Sequence, residues 1–185
     1  MILTMNFKGK RVVIYIDGSN FYFSIKKTFN CKIDIERFCK KLTGENELIQ
    51  INYYISPVGE ANLKLYAEQQ RFLEKLRKIK GLKIIFGRLE KHKKDGKTFF
   101  VEKATDINLA KDLIFDSIDN VYEKAFLISN DGDFSEVLSS IISRFNKEII
   151  YVAIGNRKSI SYHLKRVASS TTRIDNNFIK DVILN

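Results

Sequence analysis

Lys124-Ala-Phe-Leu-Ile-Ser-Asn-Asp-Gly-Asp-Phe-Ser-Glu-Val-Leu-Ser-Ser-Ile-Ile142 decides the fold. Ala125 to Ile128 is an apolar run of the length of a buried strand. Phe134, Val137, Leu138, Ile141, Ile142 and Phe145 recur at helical i, i+3, i+4 spacing. A strand therefore runs into a polar turn, Ser129 to Asp133, and the turn runs into a helix. In open α/β sheets ligands bind outside the carboxyl ends of the strands. Asp131 and Asp133 thus stand where chemistry is expected. The structural alternative is that Asp133 and Glu136 form a capping box and that Asp131-Gly132 is an ordinary turn.

The same construction occurs near the start of the chain, in Arg11-Val-Val-Ile-Tyr-Ile-Asp-Gly-Ser-Asn20. Val12 to Ile16 is β-branched and aromatic with almost no polar break, the pattern of a central parallel strand buried on both faces. It ends at Asp17, and a helix is expected from Phe21. Asp17 has a turn or cap role as its structural alternative. An acid at the end of a buried strand is costly unless it is paired or metal-bound, which favours a functional role.

Working outward, Ile33 to Leu42 reads as a short amphipathic helix and Leu48 to Ile55 as a second strand. Ala61 to Lys80 is the longest helical pattern, with Gly81 in the cap position, and Leu82 to Phe86 is a third strand. Arg88-Leu-Glu-Lys-His-Lys-Lys-Asp-Gly-Lys97 follows. Its Asp95-Gly96 predicts a hairpin with a basic tip. Arg88, Lys91, Lys93, Lys94 and Lys97 are candidate phosphate contacts, with an exposed charged loop as the alternative. Thr105 is a candidate N-cap for an apolar helix from Asp106 to Ile118. Its first-turn Asp106 also suits the helix dipole. Beyond the opening stretch, Lys147 to Ala153 is a fifth strand and Ser159 to Ala168 a last helix. Between them Gly155-Asn-Arg-Lys158 is a polar loop. Its Arg157 and Lys158, with Lys103, complete the set of candidate phosphate contacts. The tail from Ser169 is expected as a short strand or irregular cover.

The chain has 185 residues, a length that fits one domain (core about 11–168, tail 169–185). Lys and Arg number 32 against 22 Asp and Glu, and the resulting +10 favours a polyanionic partner. A lysine-rich solvated surface is the alternative. No apolar run reaches membrane-spanning length, so no membrane partner is expected. The first residues lack the long apolar segment of a signal peptide, and a cytoplasmic location is expected. Cys31 and Cys39 have no flanking metal pattern and read as reduced structural thiols. With only His92 and His163, a histidine zinc site is not expected.

Strands alternating with helices predict an α/β fold, a parallel sheet with helices on both faces in three layers. A strand order of 3-2-1-4-5 sets the ends of the first and fourth strands side by side at the topological switch point. Asp17, Asp131 and Asp133 then share one edge, and the helix opening at Asp106 can place that acid over the same cleft. Four neighbouring carboxylates repel one another unless a cation sits among them. Hard oxygen ligands without His or Cys select Mg²⁺ or Mn²⁺. Asp112, six residues beyond Asp106, points elsewhere around its helix.

Val13-Ile-Tyr-Ile-Asp-Gly-Ser-Asn20, Lys103-Ala-Thr-Asp-Ile-Asn-Leu-Ala-Lys-Asp112 and Leu127-Ile-Ser-Asn-Asp-Gly-Asp-Phe134 together resemble the three signatures of NYN domains, PIN-like nucleases, in the LabA-like (DUF88) branch. The resemblance runs from about Arg11 to Ala168. It implies a PIN-like Rossmannoid fold and Mg²⁺- or Mn²⁺-dependent ribonuclease activity. It carries metal-ligand roles onto Asp17, Asp106, Asp131 and Asp133, and supporting polar roles onto Asn20, Ser129 and Asp112. One departure is Ser169, where many relatives carry an acid after the Leu164–Ala168 pattern. The last helix is therefore not expected to join the site.

The leading expectation is a metal-dependent endoribonuclease acting on single-stranded or structured RNA. Asp17, Asp106 and Asp131 would coordinate the metal, and Asp133 would orient a bound water or hold a second ion. Asn20 and Ser129 would bind the scissile phosphate or fix the carboxylates. A non-catalytic RNA- or nucleotide-binding module is the alternative. A phosphatase of the haloacid-dehalogenase type is disfavoured, because Asp17 is followed by Gly18-Ser19 rather than by x-Asp. Whether the chain forms a homodimer is left open.

Overall fold

The structure is a computed structural model that describes residues 9–59, 62–94 and 97–184. In chain order its elements are β1 (Arg11–Asp17), α1 (Gly18–Phe29), α2 (Ile35–Thr43), β2 (Glu47–Ile55), α3 (Leu63–Arg77) and β3 (Leu82–Phe86). A hairpin follows, β4 (Arg88–Lys94) and β5 (Lys97–Lys103), then α4 (Thr105–Ile118) and β6 (Lys124–Ile128). A 3₁₀ turn (Gly132–Phe134) leads into α5 (Ser135–Phe145), β7 (Glu148–Ile154), α6 (Tyr162–Val167), β8 (Ser170–Ile174) and α7 (Asn176–Lys180).

Six strands form one parallel sheet in the order β3-β2-β1-β6-β7-β8. Leaving the separate hairpin aside, its first five positions are the five strands expected, in the expected order. The sixth, β8, comes from the tail. Residues 149–154 of β7 are buried, and that strand needs a partner for its outer row of N–H and C=O groups. Ser170 to Ile174 supplies it in parallel register with Ile150 to Ile154. Ile174, Ile179 and Val182 of the tail pack into the core.

The period-2 alternation of β1 divides the core between two faces. Val12, Ile14 and Ile16 point to one side, where they meet Phe21 and Ile25 of α1, Phe38 of α2, Leu76 of α3 and Ile179 of α7. Val13 and Tyr15 point to the other and meet Leu109 and Leu113 of α4, Leu138 and Ile141 of α5 and Leu164 of α6. Val12 to Ile16 are fully buried, which is why a run with no polar break was required there. Burial pushes the Cys39 thiol well above its usual range and leaves it an inert core residue. Among the described residues no helix is long and apolar enough to cross a membrane.

Three local expectations are corrected. Helix α3 ends at Arg77, and Gly81 lies beyond its cap. The N–H groups of Lys78 and Ile79 bond the carbonyls of Lys75 and Leu76, so the chain tightens into a turn, with Gly81 (φ +78°) starting the run into β3. Thr105 does not cap α4. Ala104 occupies that position in the left-handed conformation (φ +68°), and the Thr105 hydroxyl instead pairs with that of Ser56 at 2.9 Å. Asp133 and Glu136 do not form a capping box, because the 3₁₀ turn intervenes. Asp131 takes the capping role there, accepting the N–H of Asp133 at 3.0 Å, while α5 has no side-chain cap.

Candidate active site

Two strand ends carry the site. Asp17 closes β1 and caps α1, its Oδ1 accepting the N–H of Asn20 at 3.1 Å. Only a residue without a side chain fits immediately after it. A Cβ on Gly18 would stand 2.5 Å from the Tyr54 carbonyl oxygen and 2.6 Å from the Tyr53 ring. That close approach turns the chain sharply from β1 into α1 and leaves Asp17 at the rim of the sheet. Next to it β6 ends at Ile128, the register partner of Ile16. The hydroxyl of Ser129 donates to Asp17 Oδ2 at 3.0 Å and accepts the N–H of Asp131 at 3.1 Å.

A second set of bonds holds the two ends in register. Asn20 Oδ1 accepts the N–H of Asn130 at 3.0 Å. The Asn130 amide donates to the Ile154 carbonyl at 2.8 Å, and its oxygen accepts the Tyr151 hydroxyl. That hydroxyl in turn accepts the N–H of Ser161 at 2.9 Å, at the start of α6. Asn130 and Tyr151 were not singled out from the sequence. The position of Asn130 between two marked residues was the one available signal.

Asp17, Ser19, Asn20, Phe23, Lys103, Ala104, Thr105, Asp106 and Asp131 line one open cleft of about 270 Å³. Three of the four marked acids therefore meet. Asp133 is exposed and outside the cleft wall. Asp112 is turned away as expected and accepts the Tyr54 hydroxyl at 2.9 Å. Asp17 is only 6 % exposed. Burial pushes its carboxyl above the usual carboxylate range. The bonds from Asn20 and Ser129 oppose that shift, and the charges of Asp106 and Asp131 add to it.

The basic rim divides. Arg88 and Lys103 face each other at the base of the hairpin, and Lys103 reaches the cleft. Lys91 and Lys93 are exposed further out. Five residue pairs of antiparallel strand separate Arg88 from Lys93, roughly 17 Å. The Asp95-Gly96 turn lies outside the described residues, and Lys94 and Lys97 pair as the last strand residues before it. Arg157 and Lys158 are exposed in the loop after β7. That loop leaves the same edge of the sheet. Helix α6 packs beside the turn after β6, where a Cβ on Gly132 would stand 3.4 Å from Ser161 Oγ and 3.6 Å from His163 Cδ2, and none of its residues lines the cleft.

Among the described residues no three His, Cys, Asp or Glu side chains converge tightly enough to hold one metal ion. A Mg²⁺ ion does not need such a cage. It keeps several waters and takes one or two carboxylates together with substrate phosphate. A cleft walled by Asp17, Asp106 and Asp131, without His or Cys, fits a hydrated hard cation of that kind.

The chain resembles a crystal structure of a Vibrio parahaemolyticus protein of unknown function, with a TM-score of 0.70 and 22% identity, over 95% of this chain and 97% of that one. At that identity the likeness bears on the fold alone. No curated protein matches the chain. The NYN domain matches residues 11–175, from the first residue of β1 to just past the end of β8. With the strand-end acids at the switch point of a parallel sheet, this chain belongs to the PIN-like NYN domain family.

Proposed function

We propose that this protein is a metal-dependent endoribonuclease, hydrolysing RNA phosphodiester bonds with Mg²⁺ or Mn²⁺. The observation that carries the reading is the cleft that gathers Asp17, Asp106 and Asp131, from three different elements, with Lys103 on its rim. A bound divalent ion would supply charge neutralisation at the phosphodiester and an activated water. Asp17, Asp106 and Asp131 would hold that ion. Burial of Asp17 between like charges makes its ionised form costly without a cation, so the site favours one electrostatically. Lys103 would hold a phosphate of the strand at the cleft mouth. Ser129 and Asn20 serve by position. The Ser129 hydroxyl fixes Asp17 and Asp131, while the Asn20 backbone N–H holds Asp17 and its side-chain oxygen holds the Asn130 N–H. Asp133 lies outside the wall and fits a peripheral role toward a water or second ion.

A second reading, a non-catalytic RNA- or nucleotide-binding module, is favoured by one observation. No three metal-ligating side chains are pre-assembled among the described residues. Labelled RNA and matched single-stranded DNA, incubated with Mn²⁺, Mg²⁺ or EDTA, separate the two. The expected result is metal-dependent RNA cleavage that disappears in Asp131→Asn. Intact RNA in every lane, with a salt-sensitive mobility shift, would establish the binding module instead.

A further inference from the structure

Helix α1 buries Phe21 and Ile25 against the sheet at 3 % and 4 % exposure. Tyr22 and Phe23 fall off that face and stand 55 % and 65 % exposed. The core has no use for an aromatic at either position, and isolated exposed rings need no explanation on their own. Three features set this pair apart. Phe23 lies one helical turn beyond Ser19, and both line the acidic cleft with Asp17, Asp106 and Asp131. The Tyr22 ring meets it edge to face, with centroids 5.3 Å apart and planes at 73°. Lys26 in turn stands over Tyr22, 5.7 Å from its centroid. The ring of Phe23 is thus braced from one side by Tyr22, left open to water, and set in the wall of the acidic cleft.

We infer that Phe23 is a stacking platform for an unpaired base of the bound strand, a substrate-positioning residue at the mouth of the cleft. This rests on the reading of the cleft as a phosphodiester site. In a duplex both faces of each base are covered by its neighbours, and the edges are paired. A flat apolar wall beside the cleft acids gains contact only with a base that has left its stack. Every base has a π-face, so such a wall selects strandedness and tolerates sequence. The surrounding charge suits a polyanion: Lys26 and Lys27 follow on α1, and Lys103 closes the other side of the mouth. An apolar protein partner fits this rim poorly, because it would bury those charges along with the carboxylates.

The test is binding by the full chain in EDTA, where no turnover interferes. The probes are a single-stranded RNA carrying 2-aminopurine, the same RNA with an abasic site in its place, and the matching duplex. Wild type should quench the 2-aminopurine and bind the intact strand more tightly than the abasic one or the duplex. Phe23→Ala should lose roughly tenfold in affinity for the intact strand, with the same salt dependence. It should no longer distinguish intact from abasic RNA, and Phe23→Trp should restore both affinity and quenching. Thermal melts of all variants should coincide, since the ring is outside the core. Unchanged affinity in Phe23→Ala, or equal loss on intact and abasic strands, would overturn the platform. Binding that depends on Phe23 in a protein that never cleaves with metal would sink the nuclease and keep the platform. No binding of any strand would remove both.

Discussion

The hydroxyl of Ser129 lies 3.0 Å from Asp17 Oδ2 and donates to it, which joins the carboxyl ends of β6 and β1. The same oxygen accepts the Asp131 N–H, so one buried side chain sets the spacing of two of the three cleft acids. Ser129→Ala removes the donor to a buried carboxylate and the acceptor for a backbone N–H. A loss of about 1–3 kcal/mol in urea unfolding is expected. The Ser129 bond lowers the Asp17 pKa, so its removal raises that pKa further. The acid limb of the cleavage–pH profile should therefore move to higher pH. A variant as stable as wild type, with an unmoved acid limb, would show that the bond orients nothing.

Asp17 gives a stability prediction of unusual sign for a carboxylate. Its folded pKa lies above the unfolded value, chiefly through burial, with the charges of Asp106 and Asp131 adding to it. The folded chain then binds the proton more tightly than the unfolded one. The contribution of Asp17 is fully present below its unfolded pKa and is lost as pH rises through the folded value. At neutral pH, in EDTA, Asp17→Asn should melt at or above the wild-type temperature, and the gap should close in acid. Added Mg²⁺ should raise the melting temperature of wild type and leave Asp17→Asn unmoved. A mutant that is less stable than wild type at neutral pH would mean that the carboxylate is compensated without metal.

The two strand–Asp–helix passages were legible because both signals are local. An unbroken β-branched run marks a strand buried on both faces, and an acid at its end is conspicuous. From these and the alternation of elements, the order of five strands followed. What stayed hidden depends on contacts distant in sequence. Nothing near Asp116 announces that it accepts the hydroxyl of Tyr15, 101 residues away. Nothing near Asn130 says that Tyr151 and Ser161 hang on it. The start of α4 was misread because propensity favours Thr105 as a cap, while the hairpin exit needs a left-handed residue and puts Ala104 there. Phe23 was unreadable for another reason. Two adjacent aromatics after Phe21 leave the buried stripe of a single helix undecided until its packing is known.

Asp112 sits inside the same signature as Asp106, yet it holds the sheet rather than the cleft. Its Oδ2 accepts the hydroxyl of buried Tyr54, and Oδ1 pairs with Lys111 at 3.1 Å. Tyr54→Phe should cost about 1 kcal/mol of unfolding free energy, through the loss of one charge-assisted hydrogen bond to the partly buried Asp112 carboxylate. Cleavage per folded molecule should stay within twofold of wild type. A fall of tenfold or more at unchanged KM would put Asp112 into the chemistry.

The hairpin lysines should act on binding and hardly at all on turnover. Lys91 and Lys93 are exposed on β4, roughly 10 Å and roughly 17 Å of strand, respectively, from the Arg88–Lys103 pair at the cleft. At those distances they can hold backbone phosphates of a bound strand and cannot reach the one being cut. Each phosphate contact to a single strand contributes about 0.7 to the slope of log affinity against log salt. Lys91→Ala with Lys93→Ala should make that slope shallower by roughly 1.4. KM at low salt should rise several-fold with kcat nearly unchanged. The loss should shrink as salt approaches physiological strength, where screening removes much of the benefit in wild type as well. An unchanged salt slope would make the hairpin a solvated arm and place the strand on the other side of the cleft, along Lys26 and Lys27 of α1.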